Sequence, residues 1–184
     1  MPATTRIPFE DLPAGLRSRL EARVARLGYL GEFFQVAAHQ PEALAGFIDY
    51  TEALKESVPA RLVEAIALTI ASESGNAYER VQHERLALKL GFTEAEIRSL
   101  VAQGASLDGF PPEERAAVEL ARQVRTACGG ACPAYDELER MVGEEVAVGC
   151  LMTAVRYLAH ATMSNTWALT PPVASPLEAE AARA

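Results

Sequence analysis

The stretch PARLVEAIALTIASE, residues 59–73, constrains the chain more than any other. Pro59 suits a helix start. Leu62, Val63, Ile66, Leu68 and Ile70, with alanines between them, then cover nearly every face of the helix that follows. A helix that is apolar all round has no solvent side, so it belongs in the middle of a bundle. One carboxylate, Glu64, sits inside that run. Buried without a partner, it would carry a desolvation penalty and a raised pKa, which makes it a candidate acid or base. The alternatives are a Glu64 that points out through a gap in the bundle, or one paired with Arg61 or Arg85.

The rest of the chain reads as helical scaffold. Residues 1–12 form an arm in which Pro2 and Pro8 discourage helix. A helix is expected from Pro13 to Leu27, with Leu16, Leu20, Val24 and Leu27 on one stripe and Gly28 ending it. A short apolar segment follows over 29–38, then a helix opened by Pro41 that carries Leu44, Phe47, Ile48, Tyr50 and Leu54. After residues 59–73 comes a break at Ser74-Gly75-Asn76 and a second helix to Leu90. Thr93 with Glu96 three residues on is a capping box for the next helix. Residues 103–112 are a loop, 113–125 an amphipathic helix, 128–133 a turn, 134–141 a short helix and 144–167 a long apolar one. The tail, 171–184, is rich in Pro and Ala and is expected to be loose or laid on a partner. No strand-like alternation rises above this pattern. The fold class is all-α, in a single helical domain over 13–170.

Charge narrows the partners. The net charge is −8, and the 17 Lys and Arg are spread along the chain, so nucleic acid and anionic membrane are poor partners. No apolar run approaches the ~20 residues that span a bilayer. The first residues lack the apolar core of a signal peptide, so a cytoplasmic location is expected. Three cysteines do not make a disulfide framework.

Several groups could carry chemistry. Glu79 and His83 stand at i and i+4 on one helix face, where the carboxylate could fix the imidazole tautomer and stabilise its charged form. The same spacing also occurs in ordinary helix-supporting pairs. Metal binding would need further ligands, and nothing ties His39 or His160 to His83, so no metal site is expected. Cys128 and Cys132 are redox candidates, although their spacing is CxxxC and two unpaired loop cysteines are the plainer reading. Cys150 reads as a buried small hydrophobe. Arg156, Tyr157, His160 and Asn165 are polar groups on the last long helix. Arg156 and His160 share a face that could meet Glu64 and His83, or could lie at an interface.

The segment Glu64…Asn76-Ala-Tyr-Glu79-Arg-Val-Gln-His83, with LALKLGFTEAEIRSL after it, AAHQPEALAGF before it and FPPEERAAVELARQV downstream, resembles the carboxymuconolactone decarboxylase / alkylhydroperoxidase D superfamily. The resemblance spans about residues 7–170. It implies an AhpD-like helical bundle that forms a homo-oligomer (dimer, trimer or hexamer), with Glu64 and His83 as proton-relay residues. The redox branch of that family carries CxxCxxxH where this chain has Asn76, Glu79 and His83, so both cysteines are replaced. A thiol peroxidase needs an attacking and a resolving thiol, and Asn and Glu supply neither.

Three readings follow. In the first, the chain is a cofactor-independent acid/base enzyme on a small carboxylate or lactone. His83 is its acid or base, Glu79 its orienter and Glu64 a second proton carrier, with Asn76, Tyr78 and His160 contacting substrate. The second is an alkylhydroperoxidase whose thiols have moved to Cys128 and Cys132. The third is a non-catalytic oligomer that binds a small molecule.

Overall fold

The computed structural model describes residues 4–126 and 130–181. Among them are ten α-helices and no strand: α1 (Ala14–Leu27), α2 (Glu32–Ala37), α3 (Pro41–Ser57), α4 (Ala60–Glu73), α5 (Ala77–Lys89), α6 (Glu94–Val101), α7 (Pro112–Thr126), α8 (Pro133–Val142), α9 (Glu144–Thr166) and α10 (Pro176–Ala181). The short apolar segment after Gly28 is α2, which buries Phe33, Phe34 and Val36.

Helix α4 is the centre. Every residue from Leu62 to Ala71 is buried, and the helix packs against α5, α7 and α9. Its two faces feed two clusters. Ile66 and Ile70 join Leu120 of α7, Leu138 of α8, and Cys150, Ala154 and Tyr157 of α9. Ala65 and Leu68 join Ala87, Phe92, Ile97, Phe110 and Val118. This double-sided burial is the reason the helix can be apolar all round. A third cluster, built on Leu20, Phe33, Leu44, Ile48 and Tyr78, joins α1, α2, α3 and α5.

Three connections fix the site. Gly75, with φ +63°, turns the chain from α4 into α5, and Asn76 N–H donates to Ala71 O at 2.7 Å. Thr93 and Glu96 form the expected capping box at the start of α6. Gly149 lets α9 close on the segment before α4, since a Cβ there would stand 2.5 Å from Val58 Cγ2.

Two expectations are corrected. Helix α9 is, by length and composition alone, apolar enough to cross a membrane, contrary to the reading that no such run exists. Half of that run is buried inside the bundle, and it carries Arg156 and His160 inward, so α9 serves here as a core helix. Through residue 178 the tail is not loose, because it is laid on helices of its own chain. Ser175 Oγ donates to Glu84 Oε2 at 2.6 Å, Arg98 Nη2 donates to Leu177 O at 3.0 Å, and the Leu177 side chain enters the cluster around Phe92 and Ile97.

Candidate active site

The site is assembled from α4, α5 and α9, with α2 and α3 behind it. Glu64 of α4 is buried, and its Oε2 lies 2.6 Å from His83 Nδ1 of α5. Neither alternative for Glu64 holds. Arg61 is taken by Glu114, at 2.6 and 3.1 Å, and Arg85 Nη2 donates to Ala174 O. The bond to Glu64 occupies Nδ1 and leaves Nε2 of His83 as the free ring nitrogen. That nitrogen stands 3.6 Å from Glu79 Oε2, near enough to feel its charge and too far for a good hydrogen bond. The expected orienter of His83 was Glu79; in the structure Glu64 holds the ring.

Glu79 has a different neighbour. Its Oε2 lies 2.8 Å from His160 Nδ1 of α9, at an angle that does not make a hydrogen bond, and 3.9 Å from Arg156 Nη1. The His160 ring rests against Phe33, with centroids 3.8 Å apart, and the His83 ring meets Tyr157 edge-on at 4.9 Å. Arg156 is buried. Its Nε donates to Thr51 Oγ1 at 2.9 Å, and its guanidinium lies over Phe47 and Tyr157. Among the described residues no hydrogen bond fills its Nη groups.

Burial and charge push the two histidines apart. Burial opposes a charge on His83, but Glu64 and Glu79 outweigh it, and its pKa is pushed up to about 9. Burial likewise favours the neutral form of Glu79, yet His160 and His83 hold it well below the usual carboxylate value. Burial pushes the His160 pKa down, and the pull of Glu79 does not reverse it. Near neutral pH the cluster is therefore an imidazolium at His83, a carboxylate at Glu79 and a neutral imidazole at His160. Two like groups driven to opposite protonation states form an acid/base pair.

This cluster faces a cavity of about 530 Å³, a size suited to a small molecule. Tyr78, Glu79, His83, Arg156, Tyr157 and His160 line one part of it. Besides His83, six Arg and Lys side chains line it, Arg23, Arg26, Lys55, Arg85, Lys89 and Arg156, against one carboxylate, Glu79. In a chain of net charge −8 that is a marked local reversal of sign.

Not every expected residue reaches the cavity. Asn76 was expected to hold substrate, but it is buried away from the lining and both ends of its amide are occupied. Oδ1 accepts from Glu79 N–H at 2.8 Å as the N-cap of α5, and Nδ2 donates to Ala161 O at 3.1 Å. Tyr78 does line the cavity, and its hydroxyl accepts from Phe33 N–H at 3.1 Å. Glu64 lies behind His83 and is not part of the lining. Cys128 lies outside the described residues. Cys132 Sγ contacts Gln123 Oε1 at 3.3 Å, and no described cysteine lines the cavity. Burial pushes the Cys150 thiol up to about 12, which makes it a poor nucleophile. Among the described residues no group of His, Cys, Asp and Glu is arranged to hold a metal ion.

Sequence reasoning placed Arg156 with His160 but missed Thr51 and the rest of the cationic lining. The i, i+4 pair Arg85/Lys89 was the available signal. Arg23, Arg26 and Lys55 come from α1 and α3, and no local pattern joins them to the site.

Comparison with known proteins agrees with this architecture. The model of the Carboxymuconolactone decarboxylase family matches residues 41–123, which include Glu64, Glu79 and His83 but none of α9. No curated protein matches the chain in sequence. Among solved structures, an alkylhydroperoxidase AhpD core, an uncharacterized peroxidase-related protein from Ralstonia eutropha, is similar with a TM-score of 0.79 at 20% identity, over 93% of each chain. The debrominase Bmp8, as a cysteine-to-alanine variant in complex with 2,3,4-tribromopyrrole, is similar with a TM-score of 0.77 at 18% identity, over 100% of this chain and 97% of that one. A peroxidase-related protein from Silicibacter is similar with a TM-score of 0.76 at 18% identity, over 94% of this chain and 93% of that one. At these identities the likeness concerns the fold.

Proposed function

We infer a cofactor-independent acid/base enzyme acting on a small carboxylate or lactone, from a chain whose residues 41–123 match the carboxymuconolactone decarboxylase family and whose fold is AhpD-like. The observation that carries this reading is the placement of His83 and His160 on either side of Glu79, 3.6 and 2.8 Å from its Oε2, at the wall of a cation-lined cavity. His83, held by Glu64, is the general acid. His160 is the neutral acceptor, and Glu79 keeps the two in register. Arg156, whose Nη1 stands 3.9 Å from Glu79 and whose Nη2 makes no hydrogen bond among the described residues, receives the anionic oxygens of the substrate.

In a decarboxylation, the bond from carbon to the leaving carboxylate breaks and carbon dioxide departs. The electron pair moves into the conjugated carbonyl, and the resulting enolate carbon takes a proton from His83 Nε2. The cationic lining supports an anionic substrate, since each cation opposes the repulsion that the net charge of the chain would impose. A cavity beside the Glu64–His83 pair also favours ligand chemistry over a purely structural pair. The alkylhydroperoxidase reading has no thiol at the cavity among the described residues to support it.

A homo-oligomer belongs to this proposal. Val148, Met152 and Val155 are exposed apolar residues on one stripe of α9, and sedimentation showing a monomer at all concentrations would remove that element. The function is tested by screening small lactones and unsaturated carboxylic acids for product formation, with peroxide consumption as the control. Turnover of a carboxylate or lactone that is blocked by thiol-independent inhibitors and unaffected by thiol alkylation is expected. Peroxide consumption alone would overturn the proposal.

A further inference from the structure

The chain after α9 crosses back over α5 and forms part of the cavity wall. Val173 and Pro176 line the 530 Å³ cavity. Val173 also lines a second cavity, of about 480 Å³, with Ala77, Arg80, Val81, Pro171 and Pro172. One half-buried side chain therefore stands between two spaces.

The strap is anchored on both sides of Val173, at Ser175 after it and at Leu169 before it, where the buried Leu169 donates its N–H to Ser164 O at 3.0 Å. Ser175 is buried and bound to the fully buried Glu84, whose other oxygen pairs with Arg80 at 2.7 Å. Leu177 N–H donates to Ser175 Oγ at 3.1 Å, and Leu177 itself is buried. Arg85, one of the cations lining the cavity, donates to Ala174 O at 2.9 Å. Before that point Pro171 and Pro172 have no N–H, and among the described residues Val173 makes no hydrogen bond. The anchors fix where residue 173 sits, and Val173 is the residue that lines both spaces.

We propose that Val173 is the residue that sets the size of ligand this pocket accepts, and that the ligand is a carboxylate with an apolar body directed at the strap. This rests on the reading above that Arg156 receives an anionic oxygen. With the carboxylate at Arg156, the body of the ligand extends towards the wall made by Val173 and Pro176. A smaller side chain at 173 joins the two cavities and admits a longer body. A larger one shortens the pocket without touching the histidine cluster.

The test is direct binding of three aryl carboxylates of increasing length, benzoate, naphthoate and biphenylcarboxylate, to the full chain by calorimetry. Wild type, Val173→Ala, Val173→Phe and Arg156→Ala are compared, with circular dichroism as the check on folding. Val173→Ala is expected to favour biphenylcarboxylate over benzoate by about tenfold relative to wild type, and Val173→Phe to shift the ratio the other way by a similar factor. Arg156→Ala is expected to weaken all three together. Unchanged ratios in both Val173 variants, with Arg156→Ala still weakening binding, overturn this inference and leave the carboxylate reading standing. Failure of wild type to bind any of the three overturns both.

Discussion

Glu64 Oε2 and His83 Nδ1 meet at 2.6 Å between two neighbouring helices, and both side chains are buried. The contact keeps an imidazolium inside an apolar bundle and leaves its second nitrogen free for chemistry. Its consequence for stability has a definite sign. The pKa of His83 is raised from 6.5 to about 9, so the stabilisation is fully present below pH 6.5 and is lost as pH rises through about 9. The shift corresponds to at most on the order of 3 kcal/mol. We predict that urea unfolding of the wild-type protein shows stability falling between pH 6.5 and 9, and that Glu64→Gln flattens this slope. An equal slope in the variant would show that Glu64 is not the cause.

His160 acts in the opposite direction. Its pKa is lowered by burial, so it adds a loss of stability as pH falls below about 6.5, where the unfolded chain takes up a proton that the folded one resists. His160→Gln is expected to make the protein more resistant to mild acid. The measurement is the urea midpoint at pH 5 against pH 7, compared with wild type.

If His83 delivers a proton, its removal should cost turnover far more than binding. His83→Gln is expected to lower kcat by about 10²- to 10⁴-fold on any substrate found, with KM little changed. Wild-type activity should decline as pH rises through about 9, as His83 loses its proton. Unchanged turnover in the variant would sink the assignment of the acid.

Asn76 separates a cap from a substrate contact. Asn76→Ala removes the acceptor for Glu79 N–H and the donor to Ala161 O, and is expected to cost about 1–2 kcal/mol of stability. KM should stay within about twofold of wild type, since nothing that recognises the ligand is lost. A large rise in KM with unchanged stability would restore the substrate-binding role.

Gly149 tests how closely α9 approaches the segment before α4. Gly149→Ala places a methyl 2.5 Å from Val58 Cγ2, and Val58 is buried and stiff at χ1. A loss of about 1–3 kcal/mol is expected in chemical denaturation, and partial recovery in the double variant with Val58→Ala.

Much of this was legible in the sequence because it is local. The buried helix over 60–73 followed from its uniform apolarity, the capping box from Thr93 and Glu96, and the shared face of Glu79 and His83 from their spacing. The partners of those residues were not legible. Asn76 read as a ligand-binding amide because nothing nearby says that Ala161, on a distant helix, takes its donor. Glu79 read as the support of His83 because they share a helix, whereas its close neighbour is His160, 81 positions away. The tail read as loose because its Pro/Ala composition hides a single serine that reaches a buried carboxylate.

The sequence by itself determined that this chain is a helical bundle around one apolar helix, that Glu64 lies on that helix, and that His83 shares a face with Glu79. Hydrophobic periodicity and helix spacing are properties of neighbouring residues, and they survive without a partner in view. Only the tertiary structure decided which carboxylate holds which imidazole, that Arg156 stands beside them, and that scattered cations gather on one cavity. Those are distances between residues far apart in the chain. They depend on how helices pack, which no local pattern encodes.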